Sequence, residues 1–184
     1  TDINLNNVVI KANKDASGKN AIVVDAYSNV KSKDYQYIGT GAVIEAAEIN
    51  DDNNVIANTN VNVGAGVKLY AGSTELAKQT PTFAPISQNN TVTIAGGDIA
   101  IGARNDADMY SKAYVNTWGG VGVVGATNEV IYDGYANVNF DGYAETANGD
   151  VRLAAGRDSA GNGSVINATA DTTLINGTVV PISH

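Results

Sequence analysis

The feature that most constrains this chain is a short recurring pattern: aliphatic, any, aliphatic, any, then Ala or Gly. It reads Val8-Ile10-Ala12, Ile22-Val24-Ala26, Val67-Leu69-Ala71, Val92-Ile94-Gly96, Ile99-Ile101-Ala103 and Val151-Leu153-Ala155. Weaker copies are Ala42-Ile44-Ala46, Val121-Val123-Gly125 and Ala136-Val138-Phe140. A period of two places the named residues on one face of a strand. The skipped positions, among them Lys11, Asp25, Lys68, Tyr70, Thr93 and Arg152, suit a solvent face. Asn7, Gly18, Gly66, Gly97 and Gly149 precede many of the copies, and both residue types tolerate the backbone of tight turns. Bulky core formers are scarce, with two Phe, one Trp and one Met, so Val, Ile, Ala and Gly must fill the interior. Thin strands fit such a composition better than helices do. The chain is expected to be all-β.

A longer repeat contains the short one. Segment 18–72 runs from the strand at 22–26 through Tyr27, Tyr35 and Tyr37 to a turn at Gly39-Thr40-Gly41. Strands at 42–46 and 61–65 then lead to the strand at 67–71. Segment 97–156 keeps that order, with Tyr110, Tyr114 and Trp118 before Gly119-Gly120, and a partial third copy starts at Gly149. Strands this short bury their apolar face only by stacking coil on coil. The expected fold is a right-handed parallel β-helix, or β-solenoid, over 1–184, with coils of about 20–25 residues. In such a stack, equivalent Asn side chains of the Asn-rich turns can form hydrogen-bonded ladders. The alternative is an antiparallel β-sandwich, since the Asn-Gly pairs at 148–149, 162–163 and 176–177 also suit hairpins. Residues 73–90, with Pro81 and Pro85, have no counterpart in the second unit and read as an insertion. Loops of this kind often carry function.

The run Gly149-Asp150-Val151-Arg152-Leu153-Ala154-Ala155-Gly156-Arg157-Asp158 resembles the haemagglutinin-type repeat of two-partner-secreted exoproteins. A strand of that kind, then an Ala/Tyr/Ser stretch, a Gly-rich turn and further alternating strands, is similar to the repeats of leukotoxin-type filamentous adhesins. The resemblance covers most of 18–170 and departs at 73–90. It implies a virulence factor secreted through an outer-membrane partner, located outside the cell or on its surface. It also implies a long β-helical shaft and contact with host cells through protein or glycan. It supplies no catalytic residue, and this chain is expected to be an internal piece.

Charge narrows the partners. Eleven Lys and Arg against nineteen Asp and Glu give a net charge of −8, which argues against nucleic acid. No apolar run reaches membrane-spanning length. Without cysteine, disulfides and thiolate metal sites are excluded. The one histidine, His184, is the last residue and reads as tail, so a Ser-His-Asp arrangement is not expected. Asp98, Asp106 and Asp108 with Arg104, and Asp150 and Asp158 with Arg152 and Arg157, are the acids a polysaccharide-cleaving β-helix would need. They read better as solvated turn residues. Asp51-Asp52-Asn53-Asn54 and Asn105-Asp106-Ala107-Asp108 supply oxygens for calcium but match no calcium-loop spacing. No catalytic residue, metal site or cofactor is therefore expected.

The aromatic residues remain. Tyr27, Tyr35, Tyr37, Tyr110, Tyr114 and Trp118 occupy corresponding parts of the two repeats, and Phe83 lies in the insertion. Exposed, they would form a ribbon able to contact sugars or a partner. A ladder that merely covers the stack is the plainer expectation, because repeats align equivalent residues automatically.

Overall fold

The computed structural model describes residues 1–12, 20–72, 97–147 and 149–183. The insertion 73–90, Phe83, Gly18, Asn148 and the triplet Val92-Ile94-Gly96 lie outside them. The described residues are all-β, without a helix. The strands are β1 (Asp2–Leu5), β2 (Val9–Ala12), β3 (Asn20–Val63), β4 (Lys68–Ala71), β5 (Asp98–Phe140), β6 (Tyr143–Thr146), β7 (Val151–Ala155), β8 (Val165–Asn176) and β9 (Val180–Ser183).

The described ladders are parallel. β1 pairs with β3, β5 pairs with β7, β8 and β9, and β2, β4 and β6 form a separate sheet. Antiparallel contact among the described residues is confined to the isolated bridges Ala103–Arg157 and Arg157–Gly163. Among the described residues no two of the named strands pair as the hairpins of the sandwich alternative would require. Gly163 lies in the loop between β7 and β8, and Gly177 just follows β8. Paired segments are also further apart along the chain than coils of about 20–25 residues would place them. Asp2 lies beside Asn60 and Val9 beside Lys68, so a single step of the ladder spans about as much chain as a whole long repeat.

Two compact units share the chain, and β3 and β5 each run from the first into the second and back. The first unit comprises Thr1–Ser28, Asn58–Asn105 and Tyr135–Ser164. Its core draws on three sets of strands: Ile22, Val24 and Ala26 with Ile99, Ile101 and Ala103; Val61 and Val63; and Val67, Leu69 and Ala71. Ile3, Leu5, Ile10, Val138 and Phe140 pack around it. The period-two triplets supply most of these residues. Asn7, at φ 49°, takes the left-handed turn backbone before β2. On a polar face, Asn62 Nδ2 donates to Asn4 Oδ1 and Asn139 Nδ2 donates to Asn62 Oδ1, each at 2.8 Å. The Asn ladder thus forms, but within strands rather than turns. Tyr70 departs from the solvent face expected for it. It is buried beneath Lys11, whose ammonium is 5.6 Å from the ring centroid, and beside Tyr143.

The second unit comprises Asn29–Ala57, Asp106–Gly134 and Val165–His184. Here each long strand folds back. Met109 and Val130 pack in one cluster, as do Val30 and Val55, although a straight strand would hold such residues tens of ångströms apart. The inward face of β3 is even-numbered as far as Thr40 and odd-numbered from Glu45; in β5 it is odd as far as Thr117 and even from Gly122. The reversals fall at Gly39-Thr40-Gly41 and Gly119-Gly120, the two expected turns. A Cβ on Gly119 would overlap the carbonyl oxygen of Ala42, and one on Gly120 would stand 2.7 Å from that of Val43. Glycine lets the second reversal lie against the first. This parity switch corrects two triplets: Ile44 is 77% exposed with Ala42 and Ala46 beside it, and Val124 rather than Val121 is buried.

Between the apolar clusters of the second unit lies a polar interior. Ser111 Oγ donates to buried Asp51, and Ser32 Oγ donates to Asn53 Oδ1 at 2.7 Å. Asn128 Nδ2 donates to the carbonyls of Ser111 at 3.2 Å and Asp171 at 2.9 Å.

Candidate functional site

In the second unit β3 and β5 present a strip of tyrosines to solvent. Tyr35 and Tyr37 share one strand face by period two, and so do Tyr110, Lys112 and Tyr114. Tyr37 lies near-parallel to Tyr114, with centroids 5.3 Å apart and planes at 12°. Tyr35 is tilted at 49° to Tyr110 across 5.5 Å. Tyr35 and Tyr37 are 63% and 68% exposed. Together with Gln36 and Lys112, the rings of Tyr35, Tyr37 and Tyr114 line a shallow cleft of about 270 Å³.

Asp171 on β8 lies outside that lining and is joined to it through Lys112. Its Oδ2 lies 3.1 Å from Lys112 Nζ and accepts a hydrogen bond from Tyr110 Oη at 3.3 Å. The bond to Asp171 raises the Lys112 pKa above its ordinary value. Loss of solvent around the Tyr110 phenol raises its pKa; Lys112 opposes the shift and Asp171 adds to it.

Of the expected contact residues, Tyr35, Tyr37, Tyr110 and Tyr114 are brought together. Trp118, in the same unit, lies against Gly177 and donates from its indole to Asn116 Oδ1 at 2.6 Å. Tyr27 belongs to the first unit, where the Arg104 guanidinium sits 5.3 Å from its ring centroid. Sequence reasoning missed Gln36, Lys112 and Asp171. The period-two run Tyr110-x-Lys112-x-Tyr114 signals the lysine, whereas Asp171 is placed by the β5–β8 register alone (Lys112 beside Asp171).

Three of the acids considered for catalysis, Asp98, Asp106 and Asp158, are engaged elsewhere. Arg152 Nη2 lies 2.7 Å from Asp98 Oδ2, and Arg104 Nη1 lies 3.1 Å from Asp158 Oδ2. Asp106 Oδ1 accepts from the backbone of Val165 at 2.9 Å. Asp158 also accepts from the backbone and side-chain nitrogens of Asn162, both at 2.8 Å. The Asn162 side chain, more than Arg104, holds its pKa below the ordinary 3.8, against a smaller upward push from burial. Ser159 donates from its backbone to Asp25 Oδ1 at 2.8 Å. These bonds fasten the loop between β7 and β8 over Gly102, where a Cβ would stand 2.8 Å from the Arg157 carbonyl oxygen. The calcium candidates are split by strand alternation: Asp51 and Asn53 point inward, Asp52 and Asn54 outward. Asn105 is likewise buried while Asp108 is exposed. Among the described residues no three His, Cys, Asp or Glu are grouped to hold a metal ion.

No protein-family model matches the chain, and comparison with curated proteins and with solved structures finds no match. Among the described residues no helix is long and apolar enough to cross a membrane.

Proposed function

We propose that the chain is a right-handed parallel β-helical segment of a large secreted bacterial adhesin or leukotoxin, serving as extended shaft and host-contact surface. The observation that carries this reading is the recurring step of the parallel ladders. Val9 pairs with Lys68, Asp106 with Val165 and Val121 with Val180, all at the same separation along the chain, and Asp2 pairs with Asn60 at nearly that separation. The step from Ile99 to Val151 is somewhat shorter. The step from Lys68 to Tyr143 is longer, and the segment 73–90 falls within it. One coil is then one long repeat, units 18–72 and 97–156 stack with the partial third from 149, and 73–90 is an insertion. Stacked likeness, in the ladder of Asn4, Asn62 and Asn139 and in the Tyr37–Tyr114 pair, is what coil-on-coil growth produces.

The segment acts by extension and display rather than catalysis. Engagement of Asp98 and Asp158 by arginines supports this over a polysaccharide-cleaving β-helix. The parent protein would leave the cell through an outer-membrane partner and present the strip to a host surface of protein or glycan. Weak contacts repeated along a shaft gain strength through multivalency. The test is binding of the fluorescently labelled protein to cultured host cells. Saturable binding that falls in a Tyr35→Ala/Tyr37→Ala variant, or on deletion of 73–90, is expected. No binding at all would refute the contact function and leave an inert spacer, and binding unchanged in both variants would exclude both the tyrosine strip and 73–90 as the contact.

A further inference from the structure

We propose that the cleft between Tyr35, Tyr37 and Tyr114 is a subsite for a neutral hexopyranose, one sugar ring of a glycan chain. The inference rests on reading the strip as a contact surface, and adds which ligand it takes.

The floor comes first. A pyranose presents a face of C–H groups, which suits the electron-rich face of a phenol ring. The phenol rings of Tyr37 and Tyr114 lie within 12° of parallel, and Tyr37 is largely exposed. Their orientation has an identifiable support. A Cβ on Gly39 would stand 2.8 Å from the Tyr37 phenol oxygen and 3.2 Å from the nearest ring carbon. The Tyr37 ring therefore occupies space that only glycine leaves free, and Gly39 is a positioning residue for the floor.

The rim decides the class of ligand. Sugar hydroxyls both donate and accept, so their site needs both functions at its edge. In the lining the Gln36 side-chain amide offers both and the Lys112 ammonium donates, and beside Lys112, outside the lining, the Asp171 carboxylate accepts. The last two are partly exposed, so their remaining hydrogen-bonding capacity is open to a ligand. Lys112 is the charged residue of the lining, and Asp171 at 3.1 Å already offsets it. A sialylated or sulfated glycan would find no uncompensated cation in the lining and would approach a chain of net charge −8. The cleft, at about 270 Å³, is smaller than typical small-molecule pockets, as befits a weak single contact.

The test is titration of the protein with lactose and cellotriose, and with 3′-sialyllactose as the anionic counterpart, followed by tyrosine fluorescence and by NMR. Saturable binding of a neutral sugar is expected, with 3′-sialyllactose weaker. Tyr37→Ala and Tyr114→Ala should each weaken binding about three- to tenfold, the range expected from losing one aromatic stacking contact. Tyr37→Phe, which keeps the ring, should remain close to wild type. Gly39→Val, which keeps every lining residue but displaces the Tyr37 ring, should weaken binding without changing the far-UV spectrum. Wild-type protein that binds neither neutral sugar, or that prefers 3′-sialyllactose, overturns the proposal, and so does Tyr37→Ala binding as tightly as wild type. Competition on cells separates this inference from the broader reading. If the protein binds cells and neither neutral sugar competes, the subsite fails while the contact function stands. Saturable sugar binding without cell binding supports the subsite alone.

Discussion

The two units are built from the same two long strands and solve the interior differently. In the first, a third set of short strands, β2, β4 and β6, helps to enclose a continuous apolar core. In the second, the folded-back arms of β3 and β5 face each other directly, and two smaller apolar clusters are separated by Ser32, Asp51, Asn53, Ser111 and Asn128. Apolar packing tolerates a small slide of one arm against the other, because any aliphatic neighbour will serve. A hydrogen-bonded pair such as Ser32–Asn53 does not. The first unit thus supplies stability by burial, and the second supplies alignment by polar pairing.

If that division is right, the largest loss should come from the first core. Leu69 is fully buried there, so Leu69→Ala should destabilise the protein by about 2–5 kcal/mol, read from the midpoint of urea unfolding. Next, Ser111→Ala should cost about 1–3 kcal/mol, because it removes the hydroxyl that bonds the buried Asp51 carboxylate. Replacing both partners, Asp51→Ala with Ser111→Ala, should cost less than the sum of the single changes; strict additivity would mean that the two do not act as a pair. Gly119→Ala should cost about 1–3 kcal/mol by forcing the second reversal away from the Ala42 carbonyl. Amide exchange should then quicken around 40–44 and 118–122 while the Leu69 region stays protected. The smallest effect is on pH dependence. Asp158 titrates below 3.8 in the folded protein, so its contribution is present above that value and is lost as pH falls through the lower folded value. Asp158→Asn should therefore lower stability slightly at neutral pH, make the least difference in acid, and flatten that part of the acid-unfolding curve.

The same contrast explains what could be read from the sequence. Most of the first unit was legible because Ile22, Val24, Val67, Leu69, Ile99 and Ile101 advertise the buried face, although Val151, Leu153 and Ala155 of the last such triplet are exposed. The second was not, because its inward row carries Asp51, Asn53, Ser111 and Thr117, and its outward row carries tyrosine. A hydrophobic period read there points the wrong way, and the triplets at 42–46 and 121–125 fell one residue out of phase. Local composition also says nothing about how far apart stacked segments lie. Coils of about 20–25 residues were expected, whereas Asp2 is stacked beside Asn60 and Asp106 beside Val165. Within the candidate site, the tyrosines announced themselves by spacing. Asp171 did not, since it reaches Lys112 through strand register rather than through any motif.

Trp118 offers an optical handle on one edge of this architecture. It is the sole tryptophan, and its indole rests on Gly177, immediately after β8. Most residues of β8 are exposed, so that strand belongs to the readily opened part of the second unit. Indole emission therefore reports detachment of one strand, separately from the loss of β structure as a whole. On titration with denaturant its spectral shift should precede the far-UV change, giving a built-in gauge of fraying that needs no added label.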